Sequence, residues 1–313
     1  MRIYRGLDNL EKIRNAVVTQ GTFDGVHLAH KIILSKVKQL AKNKNGESVV
    51  MTFEPHPRMV LKPNTHDLKL LTTLDEKIEL LQKEGIQNLI VIPFTIEFSQ
   101  MQSQAFIKQI LVDKIGTKTL VIGYDHRFGK NREGSFEHLK NYNNDYGFEV
   151  EEVSEQLVDE IAVSSTKIRK ALNEGKITIA AKYLGRNYSI KGTVVKGRQL
   201  GRTIDYPTAN LIVDSENKLI PSDGVYAVKV IVNSNTFGGM LNIGNNPTVE
   251  GKGRSIEVNI FDFSEDIYNQ SISIIFVNKL REEEKFNGLD ALKTQLEKDK
   301  LLAIEVIQNS LFN

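Results

Sequence analysis

Two histidines, His27 and His30, stand three residues apart directly after the run Gly21-Thr22-Phe23-Asp24-Gly25. On a helix that spacing puts both imidazoles on one face. Glycines at the turn let backbone N–H groups come close to a ligand, and the start of a helix adds partial positive charge, so the place suits a phosphate. The zinc pair of metalloproteases needs a spacing of four with an intervening Glu, and no third ligand lies nearby. A pair of structural histidines is the remaining alternative. A second cluster is Lys196-Gly197-Arg198-Gln199-Leu200-Gly201-Arg202-Thr203, followed by Ile204-Asp205-Tyr206-Pro207-Thr208-Ala209-Asn210. It is not a Walker A loop, which needs four residues between its glycines, then Lys, then a helix. Here three intervene, Arg202 takes the place of the lysine, and Pro207 interrupts any helix.

These clusters need scaffolds, and the chain offers two. From residue 16 to about 184, short apolar runs alternate with longer amphipathic ones. Strands are expected at residues 16–19, 48–53, 88–93, 119–123 and 149–153, with helices at 28–42, 75–84, 105–115 and 136–146. Right-handed crossovers then give a doubly wound parallel sheet with helices on both faces, whose ligands lie beyond the carboxyl ends of the strands. After residue 185 the period becomes two, at residues 189–195, 225–232, 236–243, 255–261 and 271–277, between Gly, Asn and Pro turns. That predicts a small antiparallel barrel. A closing helix over 289–308 could pack on it through Leu292, Leu296, Ile304 and Ile307. The expected domains are 1–184 and 185–313, in an α/β chain with no internal repeat.

Composition narrows the function. The 313 residues carry 41 Lys plus Arg against 39 Asp plus Glu, and a net charge of +2 provides no broad field for nucleic acid or anionic lipid. Any phosphate site must be local. The absence of cysteine removes disulfides, thiolate nucleophiles and Cys-based zinc sites. No apolar run of about 18 residues is present and the start lacks a signal-peptide core, so a soluble cytoplasmic protein is expected, with no membrane, nucleic acid or obligate protein partner.

Residues 21–30 resemble the HxGH-type signature of nucleotidyltransferases in the variant carried by prokaryotic FAD synthetases, with Ala29 where the signature has Gly. Further matches follow in family order. They are Thr52-Phe53-Glu54-Pro55-His56-Pro57, then Gly123-Tyr124-Asp125-His126-Arg127-Phe128-Gly129, then Val163-Ser164-Ser165-Thr166-Lys167-Ile168-Arg169. Alone, Ser-Ser-Thr before a helix reads as an N-cap, and Pro-Thr-Ala-Asn as a turn. In the second half, however, the glycine-rich loop and residues 207–210 resemble those of riboflavin kinases. They are joined by Asp223-Gly224-Val225-Tyr226, Asn242-Ile243-Gly244-Asn245-Asn246-Pro247-Thr248, Glu257-Val258-Asn259-Ile260-Phe261-Asp262-Phe263 and Leu280-Arg281-Glu282-Glu283-Glu284-Lys285-Phe286. The resemblance runs from about residue 21 to 298.

What the resemblance implies is a bifunctional enzyme that phosphorylates riboflavin to FMN with ATP, releasing ADP, and adenylylates FMN to FAD, releasing pyrophosphate. It implies a nucleotide site for adenylyl transfer at Gly21, Thr22, Phe23, Asp24, Gly25, His27, His30, Asp125, Ser164, Ser165, Thr166 and Arg169. The kinase nucleotide site falls on Lys196, Gly197, Gly201, Thr208 and Asn210, with Thr208 and Asn210 also holding magnesium. Flavin contacts fall on His56, Gly224, Val225, Tyr226, Glu257, Arg281 and Phe286. His27, His30 and Arg169 would stabilise charge in adenylyl transfer, and Glu257 would be the general base of the kinase, since a ribityl hydroxyl needs a proton acceptor. Two other readings are a nucleotidyltransferase of another substrate with an accessory barrel, and a flavin-binding sensor without catalysis. Residues 207–210 with Glu257 argue against the first, and the intact set of candidate side chains against the second.

Overall fold

The computed structural model describes residues 1–61, 68–123, 128–130, 133–153, 163–197, 201, 204–244, 254–310 and 312. The chain forms two compact units, Met1–Ser164 and Ser165–Asn313.

The first unit is built on six parallel strands, β1 (Arg2–Arg5), β2 (Ala16–Gln20), β3 (Ser48–Glu54), β4 (Asn88–Pro93), β5 (Thr117–Gly123) and β6 (Glu149–Val153), in the order β1-β4-β3-β2-β5-β6. The central strands are apolar on both sides because both faces are covered. Val18, Met51, Ile90 and Leu120 pack on one face with Phe106, Ile107, Leu111 and Leu139. Their neighbours Val17 and Val121 pack on the other with Val37 and Ala41 of α1 (Leu28–Asn43). This alternation is the strand period of two at work. Between β3 and β4 lie α2 (Pro57–Leu61) and α3 (Leu74–Lys83), the latter opened by a capping box of Thr73 and Glu76. Between β4 and β5, α4 (Ile96–Ser99) precedes a π-helical segment, Phe106–Lys114, where an α-helix was expected. α5 (Phe136–Tyr146) joins β5 to β6. The chain runs outward from β2 in one direction through β3 and β4, and in the other through β5 and β6. The switch point is therefore between β2 and β5, and residues 21–30 leave the sheet there.

The second unit begins with α6 (Ser165–Asn173) and α7 (Ile177–Leu184). Six strands follow, β7 (Ser189–Val195), β8 (Ala209–Val213), β9 (Gly224–Val232), β10 (Asn235–Gly244), β11 (Ser255–Ile260) and β12 (Ser271–Arg281). They close into an antiparallel barrel in the order β10-β11-β8-β7-β12-β9. Closure leaves no free sheet edge. α8 (Leu289–Gln308) docks through Leu296, Ala303, Ile304 and Ile307 onto Ala227, Met240, Phe261 and Val277, while Leu292 is half-buried outside this cluster. β1 and β8 were not expected from the sequence. The periodicity changes at residue 184, whereas compaction divides the chain after Ser164.

Candidate active sites

Residues 21–30 form a strained turn from β2 into α1. Phe23 and Val26 both have positive φ, at 46° and 38°, as does Gly25 at 86°. A β-branched residue in that region is an outlier, so the surroundings must hold it. Asp24, only 2% exposed, does much of this work. Its Oδ1 accepts from the Thr72 amide at 3.0 Å and the Thr72 hydroxyl at 3.2 Å, and its Oδ2 from the Leu71 amide at 3.1 Å. Thr72 Oγ1 in turn accepts from the Gly25 amide at 3.0 Å. Asp24 is among the residues expected at the nucleotide site, and these bonds tie the turn to the segment before α3. His27 is the N-cap of α1, and its Nδ1 accepts from the His30 amide at 3.4 Å. The two imidazoles stack, centroids 3.6 Å apart and 15° from parallel, with the Phe23 ring 5.0 Å from His30.

The other candidates of this first site are more dispersed. His56 is buried, and its Nδ1 accepts from the Arg58 amide at 3.1 Å. Ser164 is the last residue of the first unit, while Ser165, Thr166 and Arg169 open α6 and are grouped with the second. Asp125 lies outside the described residues. Lys77, on α3 and 5% exposed, was not among the candidates, and its Nζ donates to Thr52 Oγ1 at 3.3 Å. Thr52 Oγ1 also reaches Thr22 O at 3.2 Å. Burial pushes the Lys77 ammonium below the ordinary lysine range, against the opposing pull of Asp24 and Glu54. Burial raises the Glu54 carboxyl, with Lys77 opposing.

In the barrel, three neighbouring strands bring the kinase candidates together. Glu257 on β11 is the register partner of Asn210 on β8 and of Asn242 on β10. Side chains of directly paired residues emerge on the same face. Thr208 Oγ1 donates to Glu257 Oε2 at 3.3 Å. Asn210 is buried, and among the described residues its Oδ1 has no hydrogen-bond partner. An orphaned amide oxygen beside a hydroxyl and a carboxylate is a hard donor set of the kind magnesium takes. Gly197 is what leaves room, since a Cβ there would sit 2.1 Å from Asn210 Nδ2. The Gly201 carbonyl accepts from the Tyr206 amide at 2.9 Å, just before Pro207. Asn259 donates to Pro207 O at 2.8 Å and so fixes the segment carrying Thr208. A groove of about 440 Å³ lined by Tyr206, Pro207, Asn259, Phe261, Phe263 and others adjoins it.

The remaining candidates are placed less directly. Lys196 reaches toward Tyr268, with Nζ 5.8 Å from the ring centre. Val225 and Tyr226 are buried in β9, and Tyr226 donates its hydroxyl to Ser222 O at 2.5 Å. Burial raises the Tyr226 phenol above its usual range. Gly224, at φ 142°, could not carry a Cβ, which would meet Lys279 Cε at 2.4 Å and Arg281 O at 2.7 Å. Arg281 lies 5.5 Å from the Phe286 ring, and its guanidinium is engaged by Asp299 of α8. Residues 198–200, 202–203 and 245–253 lie outside the described residues.

The FAD synthetase family model matches residues 9–167 and the riboflavin kinase model residues 184–307. The chain is 42% identical to a bifunctional riboflavin kinase/FMN adenylyltransferase of Listeria monocytogenes, over 91% of this chain and 90% of that one. It belongs to the bifunctional riboflavin kinase/FMN adenylyltransferase family. The Escherichia coli member is 35% identical over 97% of both chains. A crystal structure from Streptococcus pneumoniae named a macrolide-efflux protein superposes with a TM-score of 0.88 at 32% identity, covering 97% of this chain and 99% of that one. Among the described residues no helix is long and apolar enough to cross a membrane. As a member of this family the chain phosphorylates riboflavin and adenylylates FMN, using ATP in both reactions. The residues that sequence reasoning missed, Thr72, Lys77, Asn242 and Asp299, act through contacts distant in sequence. Only Asn242 carried a local signal, inside the motif at residues 242–248.

Proposed function

We propose that residues 1–184 carry adenylyl transfer and residues 185–313 the kinase, with Glu257 as the kinase base and Thr208 and Asn210 as holders of magnesium. The observation that carries the kinase reading is the convergence of Asn210 and Glu257 on adjacent strands with Thr208 just before the first of them, and a buried amide oxygen that lacks a partner among the described residues. Glu257 takes the proton of the riboflavin 5′-hydroxyl while that hydroxyl's oxygen attacks the γ-phosphorus and ADP leaves. Magnesium, when bound, neutralises phosphate charge that this chain has no Walker lysine to share. The orphaned Asn210 Oδ1 and the nearby Thr208 hydroxyl fit that ion.

Adenylyl transfer asks less of the protein in proton handling. The FMN phosphate has a second pKa of about 6 by analogy with phosphorylated side chains, so its oxygen is already a nucleophile for the α-phosphorus of ATP. The burden is charge on departing pyrophosphate. His27 and His30, stacked at a helix start, with Ser164, Thr166 and Arg169, stabilise it by position and electrostatics. No covalent intermediate is needed.

The test is chromatography of flavin products with riboflavin or FMN supplied separately. His27→Ala with His30→Ala should abolish FAD formation from FMN and leave FMN formation from riboflavin intact. Glu257→Gln should do the reverse, lowering kinase turnover by about 10² to 10⁴, the usual worth of a general base. Gln keeps the shape and can still bond the hydroxyl, so riboflavin binding should be largely kept. Kinase activity within about threefold of the parent would remove Glu257 as the base.

A further inference from the structure

We infer that Asp299 is a positioning residue of the kinase, a buried carboxylate on α8 that fixes Arg281 and, through it, the segment leading to Asn242 and Glu257. The inference starts from how thoroughly the carboxylate is engaged. Asp299 is 3% exposed. A carboxylate that deep is costly unless both oxygens are paired and hydrogen-bonded. Its Oδ1 accepts from Arg281 Nε at 3.1 Å and from Gln295 Nε2 at 2.8 Å, and its Oδ2 from Arg281 Nη2 at 2.7 Å and Nε at 3.1 Å. The fork of a guanidinium meets the carboxylate edge to edge, which fixes orientation as well as distance.

The rest of Arg281 turns back on its own segment. Nη1 donates to Glu282 O at 3.0 Å, and the guanidinium stands 5.5 Å from the Phe286 ring. One arginine thus gathers residues 281–286 around itself, and one aspartate holds that arginine. The anchor is firm at its other end, because α8 is seated on the barrel through Ala303, fully buried among Ala227, Met240, Phe261 and Val277.

The segment then reaches the reaction site. Glu283 Oε1 accepts from Asn242 Nδ2 at 3.3 Å. A Cβ on Gly244 would lie 2.0 Å from that same oxygen, so the glycine is what admits the Glu283 carboxylate to the strand end. Asn242 is the register partner of Glu257 on one side and of Val225 on the other, and Val225 in turn pairs with Arg281. The path from Asp299 through Arg281 and Glu283 to Asn242 therefore ends beside the proposed base. Displacements of about 1 Å in such a frame can cost about a hundredfold in rate. A loosened Arg281 would act on turnover without removing any group that handles the proton.

This rests on the assignment of Glu257, and the experiment keeps the two apart. Riboflavin phosphorylation and FMN adenylylation are measured on the same full-length preparations of Asp299→Asn, Arg281→Met, and the double variant Arg281→Met with Asp299→Leu. Replacing both charges with apolar side chains of similar volume leaves no unpaired buried ion, so the double variant should fold even where a single one does not. Adenylylation, expected to be unchanged, reports that each preparation is folded. Kinase kcat should fall about tenfold to a hundredfold in each single variant. KM for ATP should move by less than about threefold. The double variant should be no worse than the poorer single one, because all three break the same link. Amide hydrogen exchange over residues 281–287 should be faster in all three. Kinase kcat kept within about twofold at normal adenylylation, or single losses that multiply in the double variant, would overturn the assignment. Glu257→Gln is run alongside. Its failure to lower turnover would remove the base while leaving the Asp299 measurements to be judged on their own.

Discussion

Lys77 shows how much a single buried side chain can decide. The residue is 5% exposed, and its ammonium donates to a neutral hydroxyl, Thr52 Oγ1, at 3.3 Å. The carboxylates of Asp24 and Glu54 pull its pKa up, but burial wins and the folded value lies below the ordinary 10.5. The linkage follows directly. Between the folded value and about 10.5 the unfolded chain holds a proton that the folded chain has lost, so stability rises with pH across that window. Below the window both states are protonated and the ammonium exacts its full cost. Lys77→Met should therefore remove this contribution, and the difference in unfolding free energy between parent and variant should shift in the parent's favour as pH rises. Urea unfolding from about pH 8 to 10.5 measures it, with alkaline effects of tyrosines cancelling between the two proteins. A difference that stays flat over that range would show that Lys77 keeps its proton in the folded state. The position was invisible in sequence, where Lys77 reads as one more charge in Asp75-Glu76-Lys77 on a helix. Its hydrogen bond to Thr52 and the pull of Asp24 come from residues 25 and more away along the chain.

At the scale of elements, the glycines of the kinase loop are the sharpest test of the site. Gly197→Ala would put a methyl group 2.1 Å from Asn210 Nδ2 and 2.8 Å from Oδ1. The clash is with a side-chain amide rather than backbone, so Asn210 must swing aside, and the effect should fall on metal and phosphate binding more than on folding. The magnesium concentration for half-maximal kinase activity should rise by about 10- to 100-fold, as for supporting residues around a metal. FAD formation from FMN should not change. An unaltered magnesium requirement would exclude Asn210 as a ligand. Legibility divides along the same lines. The apolar runs of β2 to β5 are buried on both faces and announce themselves. β1, Arg2-Ile3-Tyr4-Arg5, is a charged edge strand held by its pairing to β4 and by Arg2 Nε on Asn88 Oδ1 at 2.9 Å, and a short polar edge has no apolar period to read. β8 was hidden because residues 207–210 look like a turn, and it becomes a strand only between β7 and β11. The candidate site was legible where a motif keeps its side chains on adjacent strands, as with Asn210 and Glu257. The pairing of Arg281 with a carboxylate 18 residues further on was not legible, because no local pattern announces it.

For the whole molecule, the change of hydrophobic period and the division into compact units fall at different residues, and the gap is two helices. α6 and α7 have the helical pattern of the first half, yet they are grouped with the barrel. Ile168, Leu172, Ile177 and Leu184 are fully buried. The Ser222 amide donates to Leu172 O at 3.1 Å, and the turn between the helices passes so close to the barrel that a Cβ on Gly175 would lie 2.7 Å from Lys279 Cδ. A kinase fragment of residues 165–313 should therefore fold and phosphorylate riboflavin with a kcat near that of the full chain. A fragment of residues 185–313 should be far less stable. Burial of one Leu or Ile side chain contributes roughly 1.5–3 kcal/mol. Even if the helices bury half of this surface against each other, losing four such residues removes several kcal/mol from a domain whose total is about 5–15 kcal/mol. The first half should respond in the opposite way. A fragment of residues 1–164 keeps the sheet and His27 and His30, but lacks Thr166 and Arg169, and should not adenylylate FMN. Thermal unfolding and flavin product assays on the three fragments decide the matter. If residues 185–313 unfold at the same temperature as residues 165–313, α6 and α7 contribute nothing to the barrel and the division after Ser164 has no energetic meaning.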